Sequence, residues 1–112
     1  MSNQIKTITL EAPEEIFDVE GATIERRKRI PLWRVDAMRT AQSSEEVYEQ
    51  MAAIFPAWNG IVDVETGEPL PNPEDDPSVF GRLDKMEQMP WLGVQIGTQP
   101  DPNASRSRKG RK

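Results

Sequence analysis

Eight of the ten prolines lie after residue 55. A proline removes a backbone donor and clashes with the preceding helical turn, so neither a long helix nor a central strand can run through that half of the chain. The second half must fold as short, punctuated elements. At 112 residues, with 36% apolar and 29% charged side chains, the chain has material for one modest core under a polar surface. The expected fold class is α+β, mainly helical: a small N-terminal antiparallel sheet or hairpin, three to four short helices, and a disordered basic C-terminal tail. Residues 1–97 are expected to form a single small globular domain and 98–112 the tail, whose only apolar residue is Ala104.

Gln4 to Leu10 reads as a strand, because Ile8 and Leu10 alternate with Thr7 and Thr9. Glu15 to Val19 and Ala22 to Arg26 flank the Glu20-Gly21 turn signal, which predicts an antiparallel hairpin. Pro31 suits a helix start, with Leu32, Val35, Met38 and Arg39 following at helical spacing. The next helix has stronger signals: Ser43 and Glu46 form a capping-box pair, and Val47, Met51 and Ile54 make an apolar stripe that Tyr48 and Phe55 widen and Pro56 ends. Pro69-Leu70-Pro71-Asn72-Pro73 predicts an extended stretch. Asp75 or Asp76 then caps a helix from Pro77, with Phe80, Leu83 and Met86 on one face. Pro90 either kinks that helix or starts a fresh one through Trp91, Leu92 and Ile96, ending near Gly97.

Neither Cys nor His is present. That removes disulfides, thiolate nucleophiles, Cys/His zinc sites and imidazole bases, so no enzyme activity is expected. No cofactor or metal is implied. Glu74-Asp75-Asp76 reads as a helix start rather than a cation site, and Asp63 to Glu68 lacks the glycine position and final acid of a calcium loop. No apolar run is long enough to span a bilayer and the first residues lack a signal-peptide pattern, so a soluble, cytoplasmic protein is expected.

The net charge of −5 conceals a segregation. Residues 25–40 hold six bases against two acids, residues 41–98 hold two against eleven, and residues 99–112 hold five against one. Arg26, Arg27, Lys28 and Arg29, with Trp33 and Arg34 close behind, could contact nucleic acid or an acidic partner, as could Arg106, Arg108, Lys109, Arg111 and Lys112 in the tail. The favoured reading of the first island is a solvated strand end paired with neighbouring acids. Of the tryptophans, Trp33 is assigned to the core; Trp58 and Trp91 stand open between core and interface.

The stretch Ala57-Trp58-Asn59-Gly60 through Gly67-Glu68-Pro69-Leu70-Pro71, followed by Phe80, Leu83, Trp91, Leu92 and Pro102-Asn103-Ala104-Ser105, resembles a segment of the tail assembly chaperones of long-tailed bacteriophages. The resemblance covers roughly residues 55–105; it departs at Gly60, where the family carries a Leu-like residue, and in the Pro71 to Asp76 stretch before the helix. It implies a late, non-catalytic protein of viral morphogenesis that acts in the host cytoplasm. Its partner would be the tape-measure protein, a long apolar helical chain, and/or the tail-tube protein. On that reading Trp58, Asn59, Leu70, Phe80, Met86, Met89, Trp91 and Leu92 are the partner-binding candidates, with Met51 a further adaptable contact. Weak homo-oligomerisation is compatible with this; a membrane is not an expected partner, and nucleic acid ranks behind protein. The alternatives are a virion structural adaptor and a small nucleic-acid-associated regulator.

Overall fold

A computed structural model describes residues 6–97. The chain is α+β. Strands β1 (Thr7–Glu11), β2 (Thr23–Arg27) and β3 (Ala57–Asn59) form an antiparallel sheet in the order β1-β2-β3. Helices α1 (Glu14–Phe17), α2 (Leu32–Arg39), α3 (Ser44–Ile54) and α4 (Gln88–Ile96) surround it, with a 3₁₀ helix at Pro77–Arg82. The expected tail, with Arg106, Arg108, Lys109, Arg111 and Lys112, lies outside the described residues, as does the start of the expected first strand.

The predicted hairpin between Glu15–Val19 and Ala22–Arg26 does not form. β2 pairs instead with β1, in the register Leu10↔Ile24, and the intervening residues make the single turn of α1. The reason is local. Pro13 cannot donate to a ladder, Glu14 and Glu15 favour the N-terminal end of a helix, and the Asp18 N–H closes the turn on the Glu14 carbonyl at 2.7 Å. That turn buries Phe17. Glu20-Gly21 remains a turn, and the ladder extends one bond further through the Ala12 N–H on the Ala22 carbonyl.

The core is organised on a cross-strand row, Leu10, Ile24 and Trp58, one residue from each strand. Ile24 is fully buried and Trp58 is 7% exposed. The Trp58 ring meets Phe80 of the 3₁₀ helix edge-on, with centroids 5.4 Å apart, and its Nε1–H donates to the Pro71 carbonyl at 2.9 Å. Its backbone N–H donates to Asn72 Oδ1. The proline run therefore lies along β3, where an open sheet edge would otherwise present unpaired donors. Gly60, just after β3, has φ +86°, and a Cβ there would lie 3.3 Å from the backbone of Ala22. Both facts require glycine where the resembling family has an apolar side chain.

The helices follow their sequence signals closely. Ser43 Oγ accepts from the Glu46 N–H, and the Glu46 carboxylate reaches back to the Gln42 N–H, one residue before the expected box partner. Asp76, of the two capping candidates, accepts from the Ser78 N–H. The segment from Pro77 is two elements: Leu83 is extended, and α4 starts afresh at Gln88 with Pro90 in its first turn, where its missing N–H has no intrahelical partner to lose. This break turns Met86 away from the face of Phe80 and Leu83, leaving it 78% exposed. Buried Gln88 ties α4 to α1, donating to the Ile16 carbonyl at 3.0 Å and accepting from the Asp84 N–H. Gly97 ends α4 in the left-handed conformation.

Trp58→Ala should cost about 3–5 kcal/mol, a large part of a small domain's stability. Urea unfolding followed by circular dichroism checks it; a shift equivalent to less than about 1 kcal/mol would refute the placement of Trp58 at the centre of the core.

Candidate functional site

Among the described helices, α2 has the least core. None of its eight residues is buried, and Leu32 and Trp33 are 73% and 59% exposed. Trp33 is therefore not the core residue the sequence suggested. The two side chains point about 100° apart on the helix, and neither faces the core. α2 is held by packing on α3 and by Arg34, whose Nη1 donates to Gln50 Oε1 at 2.9 Å. The Arg34 guanidinium also lies 4.5 Å from the centroid of the Trp33 ring, within cation–π range. Burial, and then the nearby Arg27, hold the Arg34 guanidinium below its ordinary pKa, and its Nε is buried without a hydrogen-bond partner.

Between α2 and α4 runs an apolar groove. Val35 and Met38 form one wall, Met89 and Ile96 the other, and Met51 of α3 the floor. Arg39 stands at its rim, paired with Asp36 at 3.5 Å on an exposed surface, and Gly93 of α4 is also among the lining residues. Leu32, three residues before Val35, shares that side of α2 but lies outside the groove lining. α4 carries no charged residue over its length.

The basic island divides in two. Arg26 Nη1 donates to the Gln95 carbonyl at 2.6 Å, in the last turn of α4, and Arg27 Nε donates to the Ala53 carbonyl in the last turn of α3. Neither helix has a basic residue in its own last turn, so β2 supplies the cation that each C-terminus favours. This replaces the expected pairing with neighbouring acids; Glu25 instead accepts from the Thr7 hydroxyl. Lys28 and Arg29 remain exposed.

The sequence-derived candidates scatter. Trp58, Phe80 and Leu92 are buried core, and Leu70 and Trp91 are half-buried against it, Trp91 edge-on to Phe17 at 5.4 Å. Asn59, at the end of β3, and Met86, in the turn before α4, are exposed and lie on separate segments. Only Met89, with buried Met51 beneath, lies in the groove. Sequence reasoning missed Leu32, Val35, Met38, Gly93 and Ile96 as a surface. No local signal marks them, because the groove is assembled from α2, α3 and α4, which are separated in sequence.

A second polar cluster is structural. Asp63 is 5% exposed; its carboxylate accepts from the Glu65 N–H at 2.7 Å, the Thr66 N–H at 3.3 Å and Arg82 Nη1 at 2.8 Å. It clasps the Asp63–Glu68 turn to the 3₁₀ helix. Among the described residues no group of three or more Asp and Glu side chains is placed to hold a metal ion, and no helix is long and apolar enough to cross a membrane. Comparison with protein-family models, curated proteins and solved structures gives no match.

The backbone N–H donors of the turn, led by Glu65, and then Arg82 hold the Asp63 carboxyl below the ordinary aspartate value of 3.8. A depressed folded pKa contributes stability that is complete above the unfolded value and lost as pH falls through the folded one. Acid urea titrations should therefore show wild type losing stability below about pH 3.8, with Asp63→Asn less stable at neutral pH and flatter in that range. Parallel pH profiles would refute the clasp. Separately, iodide should quench mainly Trp33, and Trp33→Phe should remove most of the quenchable emission while leaving stability within about 0.5 kcal/mol.

Proposed function

We propose that this chain is a non-catalytic assembly factor of a long-tailed bacteriophage, which binds the tape-measure and/or tail-tube protein in the host cytoplasm during tail morphogenesis. The observation that carries the reading is α2: an eight-residue helix with no buried residue, presenting Leu32 and Trp33 to solvent beside a methionine-lined groove. Exposed aromatic and methionine anchors are what a protein needs to coat an apolar helix, because Trp supplies concentrated contact energy and Met adapts its shape to different partners. The family-like segment adds support from the other side. Trp58, Leu70 and Pro71, which carry the resemblance, are bonded to one another here, so in this fold the segment acts as a framework motif rather than a contact surface.

Nucleic acid is the weaker fit, since Arg26 and Arg27 already donate to helix carbonyls and offer less to phosphate. A protein partner uses the apolar surface that nucleic acid would leave idle.

Co-expression with the longest helical protein encoded nearby should move that protein from the pellet into a soluble complex. The double variant Leu32→Ser/Trp33→Ser should fold normally and lose that effect. Equal aggregation of the partner with and without this chain would overturn the proposal.

A further inference from the structure

We infer that the outer edge of β1 is a self-pairing surface, through which two copies of this chain join their three-stranded sheets into one continuous antiparallel sheet. The inference does not depend on the assembly reading above. The hydrogen-bond phase of the ladder defines what the edge offers. The Ala12 N–H donates to the Ala22 carbonyl and the Lys28 N–H to the Lys6 carbonyl, so the even-numbered residues of β1 bond to β2. The backbone N–H and C=O groups of Thr7, Thr9 and Glu11 therefore point away from β2, and among the described residues none bonds to them. The side chains of all three are exposed. Among the described elements, extensive packing on β1 comes from β2. The opposite edge of the sheet is treated differently: the outward N–H of Trp58 on β3 donates to Asn72 Oδ1, within the proline run. One edge is capped by the chain itself, and the other presents a template for a further strand.

The residues along the edge match a second copy of themselves. In the antiparallel register centred on Thr9, that residue faces Thr9 of the other copy and Thr7 faces Glu11, so all three outward residues of each strand exchange backbone bonds. The same register sets Ile8 against Leu10 at the positions without backbone bonds, where side chains approach most closely. Both are half-buried, and Leu10 packs on the core, so apolar surface meets apolar surface. Other registers fit less well. Centring on Ile8 leaves Glu11 without a mate inside β1; centring on Leu10 sets Thr7 against Pro13, which has no N–H; centring on Glu11 opposes two like charges. The chain's own ends are poor occupants of this edge. After a two-residue turn, residues 1–5 are long enough to reach Ile8 but not Thr9 or Glu11. Residues 98–112 contain Pro100 and Pro102 and no apolar side chain but Ala104 to set beside Ile8 and Leu10. A second copy satisfies the backbone phase, the apolar row and the charge at once, in an isologous contact that closes on itself.

A contact limited to a five-residue strand is small for a protein interface, so the dimer is weak. Sedimentation equilibrium of the full chain up to about 1 mM should show a reversible dimer with a Kd of roughly 0.1 mM. Thr9→Lys opposes two like charges at the centre of the contact but faces Glu25 within its own sheet; it should weaken dimerisation at least about tenfold and leave the urea midpoint unchanged. Because the chain has no cysteine, single-cysteine variants report the register. Under mild oxidation Thr9→Cys should cross-link as a dimer, since the Cα atoms of that pair lie about 5.5 Å apart. Glu11→Cys, about 14 Å from its counterpart, should not. A chain that stays monomeric at about 1 mM overturns the inference, including one whose edge captures a labelled, extended Thr/Val peptide instead. Equal cross-linking of the two cysteine variants, or a dimer untouched by Thr9→Lys, overturns it as well.

Discussion

The fold depends on the Trp58 indole. It links the sheet, the 3₁₀ helix and the proline run: its strand position pairs with Ile24, its ring meets Phe80, and its N–H donates to Pro71. A buried indole needs both a large apolar envelope and a hydrogen-bond acceptor. The prolines supply the acceptor, because an extended run leaves its carbonyls free of any ladder or helix. Restrictive residues therefore serve the core twice, ending the regular elements and presenting carbonyls where the tryptophan requires one.

A second economy concerns charge. α2 and the 3₁₀ helix end with Arg39 and Arg82 in their last turns, but α3 and α4 have no basic residue there. Arg26 and Arg27 sit next to each other on β2 and so point to opposite sides of the strand, one reaching Gln95 and the other Ala53. Two adjacent arginines can thus serve two helices that a single face could not. An apparent nucleic-acid motif is in this way partly absorbed by the fold, while Lys28 and Arg29, just beyond the strand, stay available.

Much of the architecture was legible from local rules: Pro31 before α2, the Ser43 and Asp76 caps, and Gly97 after α4 all act through neighbours within a few residues. The failures are tertiary. α1 is one turn long, too short for any periodicity, and β3 has three residues whose strand character comes only from pairing with β2. The candidate groove was illegible for the same reason, since its walls and floor come from three helices separated in sequence. Local spacing can say that Val35 and Met38 share a face with Leu32, but not that the fold leaves that face uncovered.

That uncovered face has an energetic consequence. An eight-residue helix is far below the length at which a helix persists alone in water, so α2 must be stabilised by contacts. Those it has are modest: packing on α3, one hydrogen bond from Arg34 to Gln50, and a cation–π contact inside α2 itself. The buried, unpartnered Nε of Arg34 subtracts from what that side chain contributes. α2 is consequently the helix with the smallest margin, and opening there is local rather than global. Any ligand that covers Leu32 and Val35 binds the ordered form in preference to the open one, so occupancy and the order of α2 rise together. The surface best suited to take a partner is also the element that gains most from having one.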